Sequence, residues 1–348
     1  MSEKKHILIV GGGLAGSTLA HRFLEKGIQI TIVDKGENHA TAIAAGMVNP
    51  MVFRRMNKSW RLDEYIFESQ NFYLSLEEKL NCKLYHPIII RRMFSSEQER
   101  ESWENRQDKP EFHNFLEVIS ESDRQFNKAK NEFGSGRLKN SYWIEAKTYY
   151  KANLSYFENH ATLLKESFSL ADFIPEEATY KGVKYDHVVF CCGYLNKYVP
   201  FFQDALIQQT KGQTLTISSN EILNDESLNR KCFVLPIGEN LFRVGATYEW
   251  DDESLEITEA SKKLLLENLQ VIGDFKIKIL EQIAGVRPTV LDRRPIMGQH
   301  STYSKLFIFN GLGTKGYLMA PTLSREMCDF ILHGKALDKE VSIERFKK

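Results

Sequence analysis

The sequence predicts an α/β fold in which a parallel-sheet domain is interleaved with a second domain of mostly antiparallel β-sheet plus helices. Three observations predict it. Residues 6–34 read as strand, glycine turn, helix and strand; a second glycine turn lies near the C-terminus; and two intervening stretches switch to short alternating strands. At 348 residues the chain is long enough for two cores.

The opening stretch is HILIVGGGLAGSTLAHRFLEKGIQITIVD. Ile7 to Val10 form an unbroken apolar run, the pattern of a strand covered on both faces. Gly11 permits a tight turn, Gly13 lets the backbone approach a pyrophosphate, and Gly16 lets the helix pack closely on the strand. The helix beginning at Leu14 and Ala15 turns its unpaired N–H groups and positive dipole end toward the same point. Asp34, twenty-three residues after Gly11, ends the second strand where a carboxylate accepts hydrogen bonds from a ribose diol. It also repels a 2′-phosphate, which disfavours a phosphorylated nicotinamide cofactor. Together these residues make a Rossmann-like dinucleotide-binding unit, with Lys35 next to the acid.

Composition excludes several classes. Charged residues are 26% and hydrophobic residues 42%, an ordinary globular balance. Lysine plus arginine equals aspartate plus glutamate at 46 each, so no overall field attracts nucleic acid or an anionic membrane. The charge-free run Ala40 to Phe53 is too short, and too broken by Gly46 and Pro50, to span a bilayer. Met1 to Lys5 runs straight into the first strand with no room for a signal region, so a cytoplasmic protein is expected. Cys82, Cys191, Cys192, Cys232 and Cys328 show no CxxC pair and no zinc spacing, which predicts reduced buried thiols and no metal site.

The elements follow in order. Leu62, Ile66, Tyr73, Leu76 and Leu80 share one helical face. A charged helix is expected near Glu97 to Arg106, another helix over Thr148 to His160, and a strand from Lys184 to Cys192. KCFVLPIGENLFRVGATYEW predicts a hairpin turning at Gly238 to Asn240, and Glu259 to Ile272 a helix. The expected division is 1–80, 148–205 and 295–348 for the nucleotide domain, with 81–147 and 206–294 forming the substrate domain. Near the end, Gly311, Gly313 and Gly316 repeat the glycine spacing before a helix with Leu323, Met327, Phe330 and Ile331 on its buried face. Pro321 is expected in or near that helix's first turn, and Gly334 at its C-terminal cap. The chain has no room for a complete second βαβ unit after Gly316, so one nucleotide cofactor is expected.

VGGGLAG with Asp34, AAGMVNP at 44–50, DHVVFCCG at 186–193, TKGQ at 210–213, VGATYE at 244–249, AGVRPTVLDRRPIMG at 284–298 and NGLGTKGYLMAP at 310–321 occur in that order. Their order and spacing resemble the FAD-dependent amine and amino-acid oxidoreductases, the family of D-amino-acid oxidase, glycine oxidase and monomeric sarcosine oxidase. The resemblance implies an FAD-binding Rossmann-like domain with an interleaved substrate domain. It also implies oxidation of a C–N bond of a small amino acid or secondary amine carboxylate by hydride transfer to flavin N5. Dioxygen or a quinone dye would accept the electrons.

What the resemblance implies about residues is specific. Arg287, in the G-x-R-P motif, would pair with the substrate carboxylate. Arg54 and Arg55 lie where relatives carry substrate-binding and flavin-proximal cations. Lys315 would stand beside the flavin pyrimidine, and Arg243 near a position used to activate dioxygen. Cofactor contacts would come from Gly11, Gly13, Leu14, Ala15, Gly16, Asp34, Lys35, Ala45, Gly46, Met47, Cys192, Gly193, Gly311, Leu312, Gly313, Thr314, Lys315 and Gly316. TVLDRRPIMG carries no cysteine for covalent flavin attachment, so noncovalent FAD is expected. Arg293, Arg294 and Lys315 add positive charge, which would suit a more anionic substrate. Three other readings compete: an NADPH-driven flavin monooxygenase, a flavin-dependent tRNA-modifying oxidoreductase, and a flavoprotein without turnover.

Overall fold

A computed structural model of the chain describes residues 5–37, 40–250 and 252–346; the N-terminal stretch before Lys5, part of the signal-peptide reading, lies outside the described residues. Strands Thr162–Leu164, Gln29–Val33, His6–Val10, His187–Phe190 and Leu306–Asn310 lie side by side in parallel, and Ile296–Gln299 adds an antiparallel edge. The apolar run of the first strand now has its reason. Ile7 and Ile9 enter one apolar cluster while Leu8 and Val10 enter another on the opposite face. Helices Leu14–Glu25, Leu62–Leu80, Ala146–His160 and Gly316–His333 cover the first face. Aromatic residues of 168–202, among them Phe173, Tyr180 and Phe202, cover the second.

The other large sheet runs in the order Glu249–Trp250, Ile207–Ser218, Leu241–Gly245, Phe233–Gly238, Glu226–Asn229, Tyr85–Met93, Ser135–Ile144 and Met47–Val48, and Lys278–Val290 also pairs with Ile207–Ser218. Its pairings are antiparallel except that between Glu226–Asn229 and Tyr85–Met93. The expected hairpin forms across Glu239 and Asn240, with Asn240 at φ 54. Helix Glu259–Ile272 packs Leu265, Leu269 and Ile272 on Leu215, Ile217, Phe242 and Val244. Its N-terminus is capped by Thr258, whose Oγ1 accepts from Ser261 N at 3.2 Å. Among the described residues no helix is long and apolar enough to cross a membrane, and no His, Cys, Asp and Glu group is placed to hold a metal. The five cysteines are free thiols.

One expectation needs correction. Helix Gly316–His333 starts at Gly316, so Pro321 lies in its interior rather than in its first turn. A proline there has no N–H for the carbonyl of Tyr317 four residues earlier. That carbonyl instead accepts from the Tyr73 hydroxyl at 2.9 Å, a bond that ties this helix to Leu62–Leu80. Glu68 reinforces the same docking with two bonds of 2.9 Å from Arg325 and one of 3.1 Å from Arg22. Removing the Tyr73 hydroxyl strands a buried carbonyl, and Tyr73→Phe is predicted to destabilise the chain by about 1–3 kcal/mol. Urea unfolding of the two proteins checks this, and an unchanged midpoint would show that the helix satisfies the carbonyl in another way.

Candidate active site

A cavity of about 870 Å³ opens where the parallel strands end: Val10, Val33, Cys191 and Asn310 all contribute to its wall. Ligands of open α/β sheets bind at this edge, outside the carboxyl ends of the strands. From there the cavity reaches the second sheet at Gly212, Thr214, Tyr248, Gly285 and Arg287.

The first glycine turn forms the near end. Gly11 has φ 101, and a β-carbon on it would lie 2.6 Å from the Cys191 carbonyl oxygen. A β-carbon on Gly16 would lie 1.8 Å from the Gly11 carbonyl oxygen. These contacts press turn and helix together and leave the start of helix Leu14–Glu25, whose N-cap Gly13 has no side chain to cap it, facing the cavity. The Asp34 carboxylate also lies on the wall. Its oxygens accept from Gly12 N at 2.7 Å, Gly36 N at 2.8 Å and the Tyr150 hydroxyl at 2.6 Å. A carboxylate offers about four acceptor positions, so one is left for a ribose hydroxyl. Burial beside this carboxylate drives the Tyr150 phenol well above its ordinary range, which keeps it a donor. Tyr150, and the Glu166, Ser167 and Phe168 that extend this end, carried no motif in the sequence.

The second glycine loop closes the cavity from the other side. A β-carbon on Gly316 would lie 2.9 Å from Leu14 Cδ2, so the starts of the two helices nearly touch. Thr41 bridges them: its hydroxyl accepts from Leu14 N at 2.9 Å and its carbonyl from the Tyr317 hydroxyl at 3.1 Å. Lys315 precedes the second helix and lines the cavity. Its ammonium donates to the carbonyls of Asn49 at 2.7 Å and Met51 at 3.3 Å and to Ser59 Oγ at 2.7 Å. Burial pulls its pKa down to about 8. The three acceptors favour the proton, so Lys315 is a cation at neutral pH whose donors are already taken.

Arg287 stands on the opposite wall, on strand Lys278–Val290 beside Ile207–Ser218. Its guanidinium lies flat on Gly212, where a β-carbon would sit 2.1 Å from Nη2 and 2.3 Å from Nη1. The Tyr248 ring lies 4.7 Å from Cζ, and Nη1 donates to the Thr247 carbonyl at 3.4 Å. Burial lowers its pKa from the usual arginine range, and an arginine remains charged in any case. Among the described residues no carboxylate pairs with it. Gly313 N donates to the Pro288 carbonyl at 3.0 Å, which ties the Arg287 strand to the second glycine loop.

Most of the predicted site residues meet in this cavity: Gly11, Gly13, Leu14, Ala15, Asp34, Lys35, Ala45, Gly46, Met47, Cys192, Gly193, Leu312, Gly313, Thr314, Lys315, Gly316 and Arg287. Others do not line it. Gly16 is used up in the turn contact, and Gly311 faces Val290, whose Cγ2 lies 2.7 Å from a β-carbon placed there. Arg243 points behind the wall, with Nη1 donating to the Ala44 carbonyl at 3.4 Å and Nε buried without a partner. Arg54 and Arg55 lie exposed on a short turn just past Val52, the last wall residue there. Arg294 turns outward, bonded to Glu340 at 3.1 Å and stacked 4.6 Å over Trp60, and Arg293 is exposed at φ 59. Among the described residues the expected surplus of cations at the cavity therefore reduces to Arg287 and Lys315, with Lys35 paired to Glu37 at 2.6 Å at the Asp34 end.

Fold and cavity together define a dinucleotide-binding type of α/β protein whose cavity carries the guanidinium of Arg287 at its far end. Residues 6–330 match the FAD dependent oxidoreductase family, and the chain belongs to that family. It is similar to the glycine oxidase of Bacillus licheniformis, with 23% identity over 100% of this chain and 98% of the relative. It is also similar to a tRNA 5-methylaminomethyl-2-thiouridine biosynthesis bifunctional protein, MnmC, of Campylobacter jejuni, at 24% identity over 88% of this chain and 47% of that protein. The glycine oxidase structure from Geobacillus kaustophilus superposes with a TM-score of 0.80 at 16% identity, covering 96% of each chain. The chain is thus an FAD-dependent oxidoreductase, and the glycine-lined groove, the helix start at Gly13 and the remaining acceptor position of Asp34 fit that cofactor.

The flat seat under Arg287 yields a prediction. Gly212→Ala forces the guanidinium off its strand, and binding of a carboxylate ligand should weaken by about tenfold or more, ~1.4 kcal/mol, with FAD retained. Titrating the flavin spectrum with benzoate measures it; unaltered affinity would show that the guanidinium is not where the ligand binds.

Proposed function

We propose that this enzyme oxidises the C–N bond of a small amino acid or secondary amine bearing one carboxylate. The observation that carries this reading is Arg287, a cation on the cavity wall with no acidic partner among the described residues. Bound FAD supplies the two-electron acceptor. The chain supplies placement. A guanidinium fork takes a carboxylate through two parallel hydrogen bonds and so fixes which substrate bond faces the cofactor. Met47, Met51, Phe233 and Ala246 give that end of the cavity an apolar wall.

Charge distribution supports the amine's protonation state. Among the described residues the cavity's carboxylates are Asp34, Glu37 and Glu166, all at the end that this reading gives to the ribose. An ammonium at the Arg287 end would meet no carboxylate among these, so in this reading the amine binds uncharged. No histidine among the described residues lines the cavity, consistent with a reaction that needs no imidazole base. One carboxylate rather than two follows from Lys315, whose ammonium is already engaged. In this reading Gly11, Gly13, Asp34 and Lys35 hold the adenosine pyrophosphate, and Leu312 to Gly316 close on the flavin. The cavity's cysteines, Cys191 and Cys192, lie at the Gly11 end, which supports noncovalent FAD. Dioxygen or a quinone would reoxidise it.

The test is anaerobic mixing of the yellow protein with glycine, sarcosine, proline, D-amino acids and iminodiacetate while flavin absorbance is followed. A monocarboxylate should bleach it, and Arg287→Ala should raise the barrier measured by kcat/KM by about 2–5 kcal/mol. If no amine bleaches the flavin, or if Arg287→Ala reacts as well as the parent, the assignment fails.

A second reading has its own support: similarity to the tRNA-modifying bifunctional protein, and Arg54 and Arg55 exposed just outside the wall residue Val52. An amine carried on tRNA would then use these arginines for phosphate contacts. Salt-sensitive tRNA binding that the double variant Arg54→Ala/Arg55→Ala abolishes would establish it, and absence of binding at low salt would remove it.

A further inference from the structure

The run Thr210 to Gln213 does more than give Arg287 a flat seat. By strand alternation Gly212 and Thr214 face the cavity, while Lys211 and Gln213 face the other way. Both are fully buried, at 0% exposure, and neither lines the cavity. Their partners all come from neighbouring segments of the second domain. Gln213 Nε2 lies 3.0 Å from Glu249 Oε1, 3.2 Å from Thr258 Oγ1 and 3.0 Å from Ser261 Oγ; its Oε1 accepts from Thr258 N at 3.0 Å and Gln282 Nε2 at 2.8 Å. Lys211 Nζ donates to Asp252 Oδ2 at 2.7 Å and Ser254 Oγ at 3.0 Å.

Apart from Gln282, these partners belong to 249–250 and 252–261, just after the Thr247 and Tyr248 that contact Arg287. Thr247 gives its carbonyl to Nη1, and Tyr248 lays its ring beside Cζ. Thr247 is itself fastened to Gln213, donating from N to the Gln213 carbonyl at 3.1 Å and accepting through Oγ1 from Gln213 N at 2.9 Å. Among the described residues of 246–261, Tyr248, Trp250, Leu255 and Ile257 are exposed, and strand pairing there is limited to Glu249–Trp250.

We propose that Lys211 and Gln213 are positioning residues for carboxylate capture, a latch behind the sheet that holds the Thr247–Tyr248 segment against Arg287. This rests on Arg287 being the carboxylate anchor. With the latch closed, the Thr247 carbonyl occupies one N–H and the Tyr248 ring one side of the guanidinium, so the remaining donors face the cavity before the ligand arrives. With the latch open, the segment and the guanidinium must be ordered during binding, and that entropy is taken from affinity. The signature is a loss confined to anionic ligands.

The experiment uses the FAD-loaded enzyme, with benzoate and benzamide as probes of equal shape read through the flavin spectrum. Asp252 is partly exposed, so Asp252→Asn opens the latch with little risk to folding; Lys211→Met removes the ammonium and keeps most of the packing. Each should weaken benzoate by about tenfold and leave benzamide unchanged. The double variant should be no worse than Lys211→Met alone, because both changes break one contact. With a reducing amine, KM should rise while kcat holds. Equal losses for benzoate and benzamide, or benzoate affinity within twofold of the parent in Asp252→Asn, overturn the latch. Arg287→Ala separates the two ideas. If it abolishes benzoate binding while the latch variants do not alter it, the anchor stands and the latch fails; if it has no effect, the anchor itself fails.

Discussion

The site depends on how closely two helix starts can approach one another. Gly316 lies against Leu14 with no room for a side chain, Thr41 is bonded to both helices, and Gly16 rests on the Gly11 turn. Each contact removes a side chain or uses a short one to bring backbone nearer backbone. The result is a cavity with the start of a helix on each side, where backbone N–H groups and helix dipoles favour anions. Helix Gly316–His333 is held there by bonds to helix Leu62–Leu80: Pro321 frees the Tyr317 carbonyl, Tyr73 takes it, and Glu68 grips Arg325. The sheet core supports this packing on both faces, and so its six strands matter to the site mainly as a rigid edge.

The second sheet contributes differently, through one strand pair. Gly212 and Gly285 face each other in register, as do Thr210 and Arg287. A long guanidinium side chain can lie flat only where its neighbour has none, which makes Gly212 part of the site although it has no functional group. The bond from Gly313 N to the Pro288 carbonyl then links this strand to the loop that ends at Lys315. The two sheets meet in the cavity through backbone contacts whose geometry does not depend on long flexible side chains.

What the sequence made legible is what local chain chemistry encodes. The glycine turns, the Asp34 strand end, the Glu259–Ile272 helix and the hairpin at Asn240 each carry their reason within a few residues. Arg287 was legible only through resemblance to a motif. Thr41, Tyr150 and Gln213 escaped because their roles arise from partners far along the chain: Tyr150 reaches Asp34 across 116 residues, and Gln213 meets Thr258 across 45. The arginines show the reverse failure. Arg54, Arg55, Arg243 and Arg294 occupy positions near the site in sequence, yet an arginine side chain is long enough that its direction is set by whichever acceptor it finds. Arg294 found Glu340 and Arg243 found the Ala44 carbonyl.

Charge is sorted along the cavity, and the sorting restricts what can occupy it. Asp34, Glu37 and Glu166 stand at one end, where their carboxylates suit hydroxyl donors; Lys315 and Arg287 stand at the other. The two cations are not equivalent. Lys315 has spent its donors on two carbonyls and a hydroxyl of 49–59, so its charge contributes a field but no directed bond. Arg287 has spent one N–H on Thr247 and keeps the rest. A buried cation with free donors is stable only if a ligand or water completes it, because desolvation without compensation costs several kcal/mol per charge. Of the two cations, Arg287 is the one whose remaining donors can offer an anion both Coulomb energy and bidentate geometry, and the Thr247 carbonyl and the Tyr248 ring lie against its guanidinium.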